Sequence, residues 1–162
     1  MGTLVAFHAH PDDEAIATGG SMARAHAEGH RVVLVVATGG EHGEVPEDLA
    51  EGESLADRRR VETMRSAEAL GIDRVVFLGY TDSGMTGWDQ NDHDHSFFQA
   101  DLDEAAERLV TVLREESADV LTIYDDDGLY GHPDHIQVHR VGRRAAELAG
   151  VEHVYEGTVN RD

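Results

Sequence analysis

Two short strings, His10-Pro11-Asp12-Asp13 and His132-Pro133-Asp134-His135, place imidazoles and carboxylates at spacings that can do chemistry. Each follows a run that reads as a buried strand and precedes one that reads as a helix. The strand end fixes the first side chain and the opening helical turn fixes the one three positions on, so both can be aimed at one point. Two such strings from different strand ends can give two imidazoles and a carboxylate to a single zinc ion and leave a coordination position open for water. An open position distinguishes a catalytic zinc from a structural one. The competing structural reading is that Asp12, Asp13 and Asp134 are carboxylates favoured at helix N-termini, with Pro11 suited to the helix start and His135 an exposed helical residue.

The elements that must position these groups follow from periodicity. Apolar, β-branched runs predict strands over 3–8, 31–37, 74–78, 119–124 and 153–159. Stretches rich in Ala, Glu, Arg and Leu predict helices over 14–28, 55–70, 101–116 and 134–148, and Gly29, Gly71 and Gly150 stand where helices should stop. The alternation implies an α/β, Rossmann-like three-layer sandwich with a mostly parallel sheet and right-handed crossovers. Two long polar, Gly-rich loops remain, at 38–54 and 79–100, of a length that usually serves function. Ligands of open parallel sheets bind beyond the carboxyl ends of the strands. His8, His10, Asp12 and Asp13 follow the first strand, Glu41, His42 and Glu44 the second, Asp82 the third, and Asp125, Tyr130, His132 and His135 the fourth. All fall on one edge. His26, His30, His139 and His153 read as surface or packing residues, and His93 and His95, in an Asp-rich loop, could bind a metal but are more often solvated.

Composition narrows the classes. The 162 residues fit one domain with a real core. Thirty-three acidic against 13 basic residues give a net charge of -20, and every basic residue is Arg. Such a surface repels nucleic acid and anionic membrane. Its cause is either adaptation to high salt or a coding bias toward Arg. With no cysteine, a metal must be held by His, Asp or Glu. No apolar run approaches membrane-spanning length, and Met1 leads directly into Leu4-Val5-Ala6-Phe7, so a soluble, cytoplasmic protein is expected.

Together, Ala9-His10-Pro11-Asp12-Asp13-Glu14, Asp82-Ser83-Gly84-Met85 and Tyr130-Gly131-His132-Pro133-Asp134-His135 resemble the LmbE-like, or PIG-L, family of zinc N-deacetylases. Members deacetylate N-acetylglucosaminyl-phosphatidylinositol or N-acetylglucosamine-containing precursors of low-molecular-weight thiols. The likeness runs in order over essentially the whole chain. It implies that His10, Asp13 and His135 bind zinc and that Asp12 is the general base. Adjacent side chains cannot face the same way, so one aspartate can bind metal while the other reaches the attacking water. Fe2+, Co2+ or Mn2+ would also suit such a donor set.

The resemblance further implies that His132 stabilises the oxyanion as an imidazolium, which Asp134 can hold charged. Tyr130 resembles the family's mobile, carbonyl-polarising tyrosine. The departing amine takes its proton from Asp12 or from His132. Arg59, in an Arg59-x-x-Glu62 spacing, and Asp82 look like sugar-hydroxyl or headgroup contacts, as does Glu44. Arg59 can equally be a buried ion-pair partner tying helix to sheet. Family members usually continue well beyond the last strand, so residues 1–162 are expected to be one such domain, either compact with a more open site or part of a longer protein.

Rival classes fit less well. A phosphoacceptor signalling domain needs a Lys after its fifth strand, and a dinucleotide-binding domain needs a Gly-rich turn directly after its first. A cation site at Asp125-Asp126-Asp127 leaves the histidines unexplained. A non-catalytic sugar- or metal-binding module is the remaining alternative, and Asp12, unnecessary for ligation, argues against it. The expected reaction is hydrolysis of the N-acetyl group of an N-acetylglucosamine-type conjugate, a small-molecule partner, to acetate and a free amine.

Overall fold

Side-chain alternation along β1 (Thr3–His8) sends Val5 and Phe7 to one face and Leu4 and Ala6 to the other, and both faces are covered. The structure, a computed structural model, describes residues 1–160. Beside β1 lie β2 (Arg31–Thr38), β3 (Arg74–Tyr80), β4 (Val120–Tyr124) and β5 (His153–Gly157). They form one sheet in the order β3-β2-β1-β4-β5, every pairing parallel. β1 registers on β2 from Thr3 opposite Arg31 to His8 opposite Val36.

Against one face pack α3 (Leu102–Glu115) and α5 (Pro133–Ala149), whose Leu109, Leu113, Val138 and Val141 join Val5, Phe7, Val33 and Val35 in the main core. Against the other lies α1 (Gly19–Ala27), which places Met22 on Ala6 and Val32, with Leu70 of α2 (Leu55–Leu70) at the border. Full burial of such side chains stabilises by about 1.5–3 kcal/mol each. Ser54 and Asp57 close a reciprocal cap at the start of α2, and Gly71 and Gly150 end α2 and α5 in the left-handed conformation, as their positions predict.

This is the expected α/β three-layer architecture, with local differences. The helix expected over 14–28 is broken: a π-helical turn at Glu14–Thr18 precedes α1, because Thr18 leaves helical geometry and its hydroxyl bonds back to the Glu14 carbonyl. The last strand ends at Gly157 rather than at residue 159. The 79–100 loop is partly ordered by 3-10 turns at Asp89–Asp92 and Phe97–Gln99, and buried Phe97 meets Phe7 edge-on at 6.3 Å. Among the described residues no helix is long and apolar enough to cross a membrane.

The strand order determines where a site can form. From β1 the chain builds outward through β2 and β3, then returns to place β4 on the other side of β1. The carboxyl ends of β1 and β4 therefore flank the topological switch point, where the two diverging connections leave a crevice.

Candidate active site

The second string is a helix start. After β4 the chain turns through the short helix α4 (Gly128–Gly131), with Leu129 at φ 65°. His132 then caps α5: its Nδ1 accepts the Asp134 N–H at 3.1 Å, and Pro133 occupies the first helical turn. This fixes His135 in the same turn, buried, with its ring stacked on Tyr124 (centroids 4.3 Å, 20°) and edge-on to Tyr130 at 4.9 Å. Neither ring nitrogen of His135 makes a hydrogen bond among the described residues.

The first string closes on itself and reaches across to the second. The Asp13 carboxylate accepts the His10 N–H at 2.9 Å, and its Oδ2 lies 3.4 Å from both His10 Nδ1 and His135 Nε2. Donors about 2.0–2.1 Å from a tetrahedral zinc stand roughly 3.3–3.4 Å apart, so both Asp13 edges have the right span. The orphaned His135 nitrogens are likewise what a metal ligand presents before its ion is counted. Donor atoms of His10, His132 and His135 also lie within 4.8 Å of one another, as do those of His10, Asp82, His132 and Asp134. His10, Asp13 and His135 form a further such cradle, and the Nδ1 of His132 is taken by its cap bond. Burial disfavours ionisation of Asp13, yet His10 and His135 outweigh it and hold the carboxyl well below its ordinary range. His10 is pushed down by burial but raised further by Asp13, Asp134 and Asp82. Three carboxylates crowd one imidazole, an excess of negative charge suited to a cation.

Asp134 corrects an expectation. Its carboxylate does not hydrogen-bond His132; it accepts the Ser83 N–H at 2.9 Å, bonds the Ser83 hydroxyl, and meets His10 Nε2 at 3.1 Å. It therefore orients His10, as carboxylates behind ligating histidines do. His132 is correspondingly lowered to about 4 by burial and by the neighbouring His10, with Asp134 only partly compensating. With Nδ1 accepting a backbone N–H, this arrangement favours the neutral ring with its proton on Nε2 over the imidazolium that the resemblance implies.

Asp12 is held differently. It has φ 92°, rare outside glycine, and two groups hold it there. Its N–H donates to the buried Glu14 carboxylate at 3.0 Å, while Arg59 reaches its Oδ2 at 2.5 Å and the Pro11 carbonyl at 2.8 Å. Arg59 also donates to the Gly40 carbonyl at 3.1 Å, and a Cβ on Gly40 would collide with Nη1 of that guanidinium. Burial raises the Asp12 pKa and Asp13 adds to this, against the lowering by Arg59.

His10, Asp12, Asp13, Arg59 and His132 line a cleft of about 240 Å³ with His42, Gly43, Asp82, Gly84, Met85, Trp88 and Tyr130. Asp82 lies in its wall with both oxygens engaged, by the N–H groups of Gly84 and His42 and by His10 at 3.6 Å. Burial opposes its charge, but these partners hold it well below the carboxylate range. Arg59 makes the ion pair that ties helix to sheet while also facing the cleft. Glu44 is exposed and lies outside the cleft lining. Sequence reasoning assigned no role to Ser83, Glu14 or Trp88. It also missed Tyr124, whose hydroxyl meets His8 at 2.7 Å. A larger hollow of about 410 Å³ opens at the opposite end of the sheet near Leu4, Ala25 and His30, but among the described residues no cluster of metal-type donors converges there.

The fold and cleft define an α/β domain with a buried His/Asp group able to hold a metal ion at the carboxyl edge of a parallel sheet. The chain belongs to the family described as PIG-L: GlcNAc-PI de-N-acetylase, whose model matches residues 5–146. It is 54% identical over 156 residues to a 1D-myo-inositol 2-acetamido-2-deoxy-alpha-D-glucopyranoside deacetylase of Catenulispora acidiphila, covering 90% of this chain and 48% of that one. It is 50% identical over 159 residues to the deacetylase of the same name from Salinispora arenicola, covering 92% and 52%. The chain thus spans about half the length of the curated relatives it matches. Among solved structures, N,N'-diacetylchitobiose deacetylase from Pyrococcus horikoshii superposes with a TM-score of 0.73 at 27% identity, over 90% of this chain and 49% of that one.

Proposed function

We propose that this chain is the catalytic domain of a zinc-dependent N-deacetylase that hydrolyses the acetamide of an N-acetylglucosamine-type conjugate to acetate and a free amine. The observation that carries it is the convergence of Asp13 on His10 and His135, with Asp12 held beside them and unneeded for ligation. The relatives' names make a 2-acetamido-2-deoxy-glucopyranoside of myo-inositol the first substrate to test.

His10, Asp13 and His135 would hold the ion, which supplies Lewis acidity toward an amide carbonyl and toward water. Asp12 takes the proton of the attacking water, a task its raised pKa suits. As the carbonyl carbon becomes tetrahedral, the neutral His132 donates its Nε2–H to the developing oxyanion, and the Tyr130 hydroxyl at the cleft mouth is the second donor. Cleavage of the C–N bond then returns the proton from Asp12 to the departing amine. Asp82 and Arg59 border the space left for the sugar. Supplying the zinc-loaded chain with a panel of N-acetylglucosaminyl conjugates tests the reading: release of acetate and amine in equal amounts is expected, and no release from any conjugate by metal-replete chain would contradict it.

A further inference from the structure

Trp88 is the only tryptophan of the chain, and it lines the cleft as a residue 47% exposed. Leaving so large an aromatic surface in water forgoes hydrophobic stabilisation unless a partner covers it. Met85 and Tyr130 line the same cleft, 41% and 62% exposed, so the three make an apolar rim beside otherwise polar walls.

The backbone that carries the indole is also held in place. The Trp88 N–H donates to the Met85 carbonyl at 3.1 Å, and Asn91 N–H to the Trp88 carbonyl at 3.0 Å. The Asn91 side chain ties the turn to Met85 and Ser83 and accepts the Gly87 N–H at 2.9 Å. Gly84, at φ 67°, lies under the ring: a Cβ there would stand 2.7 Å from Trp88 Cε3. The same turn begins at Ser83, which fixes the Asp134 carboxylate behind His10.

We infer that Trp88 is the platform on which the apolar C–H face of the substrate's pyranose ring stacks, making it a specificity-determining residue. A pyranose offers such a face, with hydroxyls around its rim. An aromatic wall opposite a few placed polar groups matches both, the indole taking the face and Asp82 and Arg59 the hydroxyls. This assignment rests on the deacetylase reading for its ligand class, but the binding half of its test requires no turnover.

With a single tryptophan, the fluorescence of the chain reports on this ring. Zinc-loaded Asp12→Ala protein, which does not consume the probe, is titrated with methyl 2-acetamido-2-deoxy-α-D-glucopyranoside while binding is followed in parallel by calorimetry. A saturable shift of the emission that tracks the calorimetric isotherm is expected. In the otherwise wild-type chain, Trp88→Ala should raise KM about tenfold with kcat kept within a few-fold, and Trp88→Phe should restore most of the loss. Calorimetric binding with silent fluorescence, no binding at all, or an unchanged KM in Trp88→Ala overturns the platform. A fluorescence response in a chain that releases acetate from no conjugate would uphold the platform and overturn the deacetylase reading.

Discussion

The backbone N–H of Asp12 donates to the carboxylate of Glu14, two residues on and almost wholly buried, at 3.0 Å. The bond holds a non-glycine residue at φ 92° and sets the direction of the Asp12 side chain. Glu14→Ala should therefore lower kcat about ten- to a hundredfold while zinc content and KM change little, because misplacing a base by about an ångström is costly. Glu14→Gln, which keeps an acceptor, should recover most of the rate. Equal losses in the two variants would separate Glu14 from the positioning of Asp12.

The clasp on Asp12 from the other side depends on Gly40. Gly40→Ala should force the Arg59 guanidinium out of its contact with the Gly40 and Pro11 carbonyls and add the cost of a side chain at φ 67°. Thermal unfolding should show a loss of about 1–3 kcal/mol, with kcat falling in parallel.

Ser83 lies behind the metal cradle. Ser83→Ala removes the hydroxyl that holds Asp134 and thereby loosens His10. Zinc affinity, measured by competition with a chromophoric chelator, should fall about 10- to 100-fold with the fold intact. Unchanged affinity would show that Asp134 is fixed by its other contacts.

Much of this was legible because period-2 and period-3.6 patterns, with glycines at helix ends, are local signals. Both strings place their chemistry through local geometry: a capping imidazole at His132, and a carboxylate turned back on the His10 N–H. The partner of Asp134 was not legible, since only the fold brings Ser83, 51 residues away, against it. For the same reason the surroundings of His132 are not legible: Asp134 turns to Ser83 and His10, and burial and His10 lower the ring more than Asp134 raises it. The break at Thr18 was hidden because the π-helical turn keeps a helical composition. Trp88 gave no periodic signal inside a loop.

A pH dependence of stability follows from the opposite end of the sheet. Glu116 is bonded by Arg31 at 2.5 Å and Arg74 at 2.8 Å, which, Arg31 foremost, depress its pKa from 4.5 to about 2. A carboxyl depressed in the folded state stabilises fully above its unfolded pKa, and the contribution fades as pH falls through the folded value. Glu116→Gln should therefore be less stable than the parent at pH 7, and the gap should narrow from about pH 4.5 toward pH 2. A gap that is constant with pH would remove the ion pairs as its cause.

The most direct test of the account compares zinc content and acetate release in the parent, Asp12→Ala and His135→Ala chains after identical loading and desalting. The account predicts one zinc per chain in the parent and in Asp12→Ala, with turnover in the latter reduced by about 10²–10⁴, and loss of the ion in His135→Ala. A His135→Ala chain that retains stoichiometric zinc, or an Asp12→Ala chain that turns over near the parent rate, would contradict it.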